Sequence, residues 1–145
     1  MLRACSRGVA VIAMVTCLSM ATQAQPNREM YHPQDRCGRR AAEVFAKKYP
    51  PFETSEVQHR YSYRNHYSQR LNKCFFLVTN IVWFKPGKGG VGKEVRYLEL
   101  FDLNEDNRYG SYVGTASGKL VCEIRGRSCS SEQEWMELVS PYIDE

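Results

Sequence analysis

The chain has 145 residues and a net charge of +4, and its length fits one domain with a modest core. So small a net charge argues against an obligate nucleic-acid-binding protein, which would present a strongly basic surface. After residue 24, no stretch of the chain is long and apolar enough to span a bilayer as a helix.

The first 24 residues predict a secretory signal that is removed after export. Arg3 and Arg7 precede an almost unbroken apolar run, Val9–Leu18, and small and polar residues then end at Ala24. The run is about ten residues long, whereas about twenty are needed to cross a bilayer, so a membrane anchor is the weaker interpretation. Cleavage after Ala24 leaves Gln25 first in a mature chain of 121 residues with a net charge of +2.

Four of the six cysteines remain in the mature chain, and an even number in an exported protein predicts disulfide bonds. Of the three possible pairings we favour Cys37–Cys74 with Cys122–Cys129, because the second pair closes a short loop around Gly126, which bends easily. The alternative is a zinc site made of four thiolates. Such a site usually needs cysteine pairs separated by about two to four residues, and no two cysteines lie that close here.

After the signal, the pattern predicts an extended arm followed by a single domain. Residues 25–34 are polar and contain two prolines, which favours an extended arm, and residues 35–145 form the domain. The domain begins with a predicted helix from Asp35, which can act as its N-cap, to Lys48. Apolar side chains recur there at helical spacing, and Pro50 ends the pattern.

Five segments that read as strands follow, separated by turns. They cover residues 57–64, 73–84, 95–103, 109–116 and 120–124. The first alternates aromatic with polar residues, whereas the second is too apolar to alternate and is expected to be covered on both faces. A last helix is predicted after Ser131, which forms a capping box with Glu134. This order predicts an α+β fold, an antiparallel meander of four to five strands with an N-terminal and a C-terminal helix packed on one side.

The segment Lys88–Glu94 nearly matches a phosphate-binding loop of the deviant Walker type. Such a loop needs a Ser or Thr hydroxyl on Mg²⁺ where this chain has Glu94, and it opens into a helix. Residues 95–103 alternate like a strand instead. The sequence therefore favours a flexible hairpin loop with solvated lysines.

Residues 102–106 read Asp-Leu-Asn-Glu-Asp, which is similar to the start of a calcium-binding loop. Asn107 stands where that loop needs its turn glycine, and Val113 occupies the twelfth position, where a bidentate Glu belongs. Because Asn and Asp are also good turn residues, we favour a turn over a weak calcium site.

No catalytic constellation stands out along the chain. The three histidines are scattered, no Gly-x-Ser-x-Gly elbow is present, and bridging all four cysteines leaves no thiol nucleophile. The alternative left open is a hydrolase that draws its carboxylates from Asp102, Glu105 and Asp106.

The most distinctive segment is residues 59–70, in which tyrosines are interleaved with arginines and histidines. Tyr supplies flat contact area with a polar tip, and Arg supplies a fork that matches anions, so this surface suits a protein partner or an anionic or polar glycan. The residues predicted to bind are Arg60, Tyr61, Tyr63, Arg64, His66, Tyr67 and Arg70. The competing interpretation is that the tyrosines pack onto the sheet while the arginines face water.

Part of this segment resembles one found in small exported bacterial proteins of unknown function. Those proteins have His-Tyr-Asn followed by Leu-Asn-x-Cys and an aromatic residue. Here residues 66–75 read His-Tyr-Ser-Gln-Arg-Leu-Asn-Lys-Cys-Phe, which departs from the pattern at Ser68. The resemblance implies a bacterial periplasmic setting and no particular activity.

These observations favour an exported, non-catalytic module that binds an envelope protein or a polar glycan through residues 59–70. Two alternatives stay open: a small envelope hydrolase with an acidic residue as its base, and a structural accessory of a larger envelope complex. We expect no metal, no cofactor and no nucleic acid as a partner.

Overall fold

The computed structural model describes residues 28–144. The predicted signal peptide, residues 1–24, and the first part of the predicted arm, residues 25–27, lie outside the described residues. Within the described part of the chain, no helix is both long enough and apolar enough to cross a membrane.

In the described part of the chain, two helices flank a run of seven strands. The helices are α1 (Arg28–Lys48) and α2 (Glu132–Ile143). The strands are β1 (Phe52–Glu53), β2 (Val57–Ser68), β3 (Lys73–Phe84), β4 (Lys93–Asp102), β5 (Asn107–Thr115), β6 (Gly118–Ile124) and β7 (Arg127–Ser128). All seven form one antiparallel sheet in which each strand pairs with the next one along the chain. The fold is therefore α+β and the sheet is a meander, as predicted.

The predicted count of four to five strands is too low. The five long strands overlap the five predicted segments, although β2 continues through residues 65–68, where the sequence predicted no strand. β1 and β7 are additional strands of two residues each. A two-residue strand is too short to show any alternation, so no periodic pattern in the sequence marks it. β1 and β7 lie at the two ends of the strand order, where each pairs with only part of its neighbour.

The predicted extended arm is wrong from Arg28 onward, because α1 begins there and not at Asp35. Pro33 lies inside this helix. Pro33 is the sixth residue of α1, beyond the four N–H groups that have no partner within a helix, so it removes one helical hydrogen bond and the helix continues through it. Treating Pro33 as a helix breaker therefore placed the start of α1 too late.

The two helices cover opposite faces of the sheet, and not one side as predicted. Side chains alternate along β3, so the neighbours Phe75 and Phe76 point to opposite faces. Phe75 packs in the core cluster that contains Trp135 of α2, whereas Phe76 packs in the cluster that contains Ala41 of α1. We call these two sides the α2 face and the α1 face. The apolar run of β3 is covered on both faces, as expected, because one helix packs on each face.

Helix α2 begins at the capping box that the sequence predicts. The Ser131 hydroxyl accepts a hydrogen bond from the N–H of Glu134 at 3.1 Å, which satisfies one of the unpaired donors of the first turn. The Glu134 carboxylate reaches back to the N–H of Ser130 at 2.7 Å, one residue beyond the cap itself. Hydrogen bonds from the Ser130 hydroxyl and N–H hold the pKa of Glu134 below its usual value. Trp135, fully buried one residue later, fixes the helix to the sheet.

The cysteines form the predicted pairs, Cys37–Cys74 and Cys122–Cys129. The first joins α1 to β3, and its partners are 37 residues apart in the sequence. In the chain-entropy model, closing such a loop stabilises the folded state by about 4 kcal/mol. The second pair closes a loop of 7 residues and contributes about 2.5 kcal/mol. The long-range bridge therefore holds α1 on its face of the sheet.

Candidate binding surface on strand β2

Strand β2 lies close to one side of the sheet and is only partly covered there. β3 pairs with it along its whole length, from Val57 to Ser68, without a register shift. On its other side, β1 pairs only with Gln58 and His59. From Arg60 onward, no strand within the described residues pairs with this outer side of β2.

Between His59 and Tyr67, the outer side of β2 has backbone groups that no strand of the described residues pairs. In an antiparallel pair, alternate residues turn their N–H and C=O groups away from the partner strand. The Val57 carbonyl accepts from Thr54 at 2.7 Å, and the Tyr67 N–H donates to the Gln34 Oε1 at 2.8 Å, so the odd-numbered residues of β2 point outward. By the same alternation, the N–H and C=O groups of Tyr61, Tyr63 and Asn65 point away from β3. We call these three residues the open edge.

The predicted binding tyrosines lie on the α1 face and are half-buried. The ring of Tyr63 packs against Phe45 of α1, with 4.5 Å between ring centroids. The Tyr67 hydroxyl donates to the Asn72 Oδ1 at 2.6 Å. Contacts within the domain therefore bury much of the side chains of Tyr63 and Tyr67, as the competing interpretation expects. Each residue nevertheless remains partly exposed.

Tyr61 lies where the cover provided by α1 ends. Its ring is 5.5 Å from that of Tyr49, and its hydroxyl shares a hydrogen bond of 3.0 Å with the Nδ1 of His59. Burial raises the pKa of the Tyr49 hydroxyl, and the nearby Glu99 carboxylate raises it further. The Tyr49 hydroxyl therefore remains a neutral hydrogen-bonding group at physiological pH on this part of the α1 face.

Two of the three predicted binding arginines, Arg60 and Arg64, lie on the α2 face, across the sheet from the tyrosines. Arg60 lies 3.9 Å from a carboxylate oxygen of Glu94, and Arg64 donates a hydrogen bond to the carboxylate of Asp144. Their side chains are nevertheless 61% and 54% exposed. The hydrogen bond from Arg64 is the main reason why the pKa of Asp144 lies below its usual value, and His66 contributes to the same shift.

The structure thus gathers the predicted residues on one strand but not on one face. Six of the seven lie on β2, with the tyrosines on the α1 face and Arg60, Arg64 and His66 on the α2 face. Arg70 lies in the turn between β2 and β3. The open edge between the two faces is the feature that these side chains share, and sequence patterns do not show which strand of a sheet lies at its side.

The carboxylates considered for a hydrolase are held by lysines. Asp102 is fully buried and binds Lys73, whose ammonium group also contacts Glu105 at 2.8 Å. These hydrogen bonds raise the pKa of Lys73, so it remains a cation. Asp106 lies 3.5 Å from Lys48 in a turn, which confirms the turn predicted here. No group of three His, Cys, Asp or Glu side chains in the described part of the chain is arranged to hold a metal ion.

A basic cavity beside this cluster is a feature that the sequence did not reveal. Its lining residues are Lys73, Glu105, Asn107, Arg108, Tyr109 and Arg125. Its volume is about 550 Å³. Two of its cations already have acidic partners, since Lys73 binds two carboxylates and Arg108 lies 3.4 Å from Glu99. The guanidinium of Arg125 lies 5.0 Å from the ring centre of Tyr109, so it too is partly engaged.

The glycine-rich loop joins two paired strands and does not open a helix. Phe84 at the end of β3 pairs with Lys93 at the start of β4, which makes residues 85–92 a hairpin loop, as predicted. The ring of Trp83 lies against Gly92, and a Cβ atom added at Gly92 would be 2.3 Å from that ring. The glycine therefore has a packing role in the hairpin.

Strand β2 can offer charge, aromatic surface and backbone hydrogen bonds to a partner. The carboxylate that meets this strand, Asp144 at the end of α2, is already bound by Arg64. The chain matches no protein-family model, no curated protein sequence and no solved structure.

Proposed function

We propose that this protein is an exported, non-catalytic module that binds an envelope protein through strand β2. The observation that carries the proposal is the open edge of β2, where backbone groups point outward between a half-buried tyrosine face and an exposed arginine face. Partner surfaces are typically enriched in Tyr and Arg, which combine apolar contact with hydrogen bonding.

The arginines of β2 can exchange their present partners at little cost. An exposed ion pair usually contributes about 0–1 kcal/mol, because water screens the charges and the side chains lose freedom. Arg60 and Arg64 are both more than half exposed in their pairs with Glu94 and Asp144. A partner carboxylate can therefore replace the present one without loss of the fold.

The hydrolase alternative gains no support from the carboxylates near β2. A general base works best when its pKa lies near the working pH. The pKa of Asp144 is lowered by its hydrogen bond from Arg64, and the pKa of Glu53 is lowered by its hydrogen bond from Lys85. Both shifts move these carboxyl groups away from that range.

The disulfides support the exported location. Bridges of this kind form and persist in oxidising compartments, and they are rare in the cytosol. Together with the signal predicted in residues 1–24 and the resemblance of residues 66–75 to small exported bacterial proteins, they favour the periplasm or the cell exterior.

The test is a pull-down from envelope extract with the oxidised, exported protein as bait. The double variant Arg60→Gln plus Arg64→Gln should stay folded, with a loss of stability of at most about 1 kcal/mol, and bind the recovered partner about three- to tenfold more weakly. Arg108→Gln is the matched control, since Arg108 is also an exposed, ion-paired arginine but lies on β5. Equal binding by all three proteins, at low and at physiological salt, would remove the arginines from the site and favour a structural accessory.

A further inference from the structure

We infer that the partner binds as an added β-strand along the open edge of β2. The segment it supplies is an extended peptide in which acidic residues alternate with aromatic or aliphatic residues. This inference rests on the proposed function, since it describes how the same strand engages its partner. Addition of a strand to an exposed sheet edge is a recurring mode of peptide recognition, with affinity from the backbone and specificity from alternate side chains.

The backbone of β2 is suited to receive a strand over a defined length. β1 covers its outer side at His59, and Gln34 of α1 caps it at Tyr67, so the window between them spans the open edge. Proteins usually protect such edges with prolines, bulges or very short strands. β2 has twelve residues, contains no proline and pairs with β3 without a bulge. Within the window, charged side chains are the protective feature that remains against pairing with another strand.

The side chains beside the window set the chemistry of the partner. In a paired strand, residues directly opposite one another have Cβ atoms about 5 Å apart, and opposite charges there are stabilising. Residues opposite Arg60 and Arg64 project onto the α2 face, where carboxylates complement the two guanidinium groups. Residues opposite Tyr61 and Tyr63 project onto the α1 face, where aromatic or aliphatic groups extend the half-buried rings.

A second copy of this chain fits the edge less well. If two β2 strands paired antiparallel about Ser62, Arg60 of one copy would stand opposite Arg64 of the other, and the two like charges would repel. If they paired about Tyr63, Arg60 would stand opposite His66 and would again lack an acidic neighbour. The charge of the edge therefore favours an acidic segment from a different protein.

The experiment uses an acetylated and amidated peptide, Glu-Tyr-Glu-Val-Glu-Tyr-Glu, as the probe. Hydrogen exchange of the backbone amides is measured by NMR on the full, oxidised protein with and without the peptide. In the unbound protein the amides of Tyr61, Tyr63 and Asn65 should exchange fast, while those of Ser62 and Arg64, which point to β3, exchange slowly. Saturating peptide should slow the first three about tenfold or more and leave the other two unchanged.

Two controls separate backbone pairing from charge attraction. A peptide of the same composition with its acids in one block keeps the charge but loses the alternation, and it should bind at least about fivefold more weakly. Asn65→Pro removes an outward N–H, which an edge strand tolerates, and it is compared with Asn65→Ala, which keeps that N–H. Weaker binding by the proline variant alone supports pairing. If that variant does not fold, a peptide carrying N-methyl groups on alternate residues makes the same comparison.

The outcomes distinguish this inference from the proposed function. Peptide binding that depends on Arg60 and Arg64 but leaves the three edge amides unprotected would overturn strand addition and leave a binding role for β2. No binding of the peptide up to about 1 mM would also overturn it, while the envelope pull-down decides the proposed function separately. Protection of the edge amides that rises with protein concentration, without peptide, would assign the edge to a second copy instead.

Discussion

Substitution of Gly92 by Ala tests whether the glycine-rich hairpin loop serves packing against Trp83 or the binding of phosphate. A Cβ atom at Gly92 would lie 2.3, 2.6 and 2.9 Å from three atoms of the Trp83 ring, closer than carbon atoms can approach. Since β3 and β4 are paired on either side of the loop, the backbone has little freedom to retreat. The half-buried Trp83 ring must therefore move.

The expected loss of stability follows from two opposing effects. Replacing Gly by Ala reduces the freedom of the unfolded chain and stabilises by about 0.4–1 kcal/mol where the backbone accepts Ala. Forcing extra volume into a packed site costs about 1–3 kcal/mol. Because Trp83 is only half-buried and can shift, we expect a net loss of about 1 kcal/mol for Gly92→Ala, or a melting temperature lower by roughly 4 °C.

Gly90→Ala is the matched control within the same loop, since the nearest atom to its added Cβ would be the Gly87 carbonyl oxygen at 3.6 Å. It should be as stable as wild type or slightly more stable in urea unfolding. Tryptophan emission gives a second readout, because Trp135 is fully buried and any red shift in Gly92→Ala reports Trp83. Equal stability of the two variants with unshifted emission would refute the packing argument. A rise in the melting temperature of wild type with Mg²⁺ and ATP would restore the phosphate interpretation.

Two further predictions concern the bridges and the acidic end of α2. Replacing both Cys37 and Cys74 by Ala should lower the free energy of unfolding, measured by urea titration, by about 2–5 kcal/mol. A loss below about 1 kcal/mol would show that the bridge does not constrain the unfolded chain. The pKa of Asp144 lies below its ordinary value of 3.8, so its contribution to stability is present above that value and is lost as the pH falls through the lower, folded value. Thermal melts should therefore show a stability difference between wild type and Arg64→Gln that stays constant from neutral pH to about pH 5 and shrinks below about pH 4. A difference that is unchanged at pH 2 would exclude this ion pair as its cause.

The sequence predicted the long elements of the fold because each carries a periodic pattern or, in β3, a long apolar run. Alternation along β2 correctly separated Tyr61 and Tyr63 from Arg60 and Arg64 onto two faces. The apolar run of β3 correctly indicated cover on both sides. That second observation already conflicted with a prediction of both helices on one side, because two helices on the same face leave the other face of a central strand exposed to water.

The rest of the candidate site depends on contacts between distant residues, which no local pattern records. Arg64 meets Asp144 across 80 residues of sequence, and Lys73 meets Asp102 across 29. Whether a strand lies inside a sheet or at its side depends on which other segments pair with it. The open edge follows from the brevity of β1, a two-residue strand whose sequence has nothing to distinguish it from a loop.

Under the proposed function, the two faces of β2 contribute unequally to stability and to recognition. On the α1 face, Tyr63 joins the core cluster of α1 through its contact with Phe45, so that face contributes to the fold. On the α2 face, the arginine contact with α2 is made at Asp144, the residue that caps the end of the helix, and Arg64 remains more than half exposed there. A partner that displaces Asp144 from Arg64 disturbs only the end of α2, because Trp135 and Val139 stay buried between α2 and the sheet. Under the proposed function, the same strand can therefore hold the fold together on its α1 face and exchange ion pairs on its α2 face. The disulfide between α1 and β3 holds the α1 face in place.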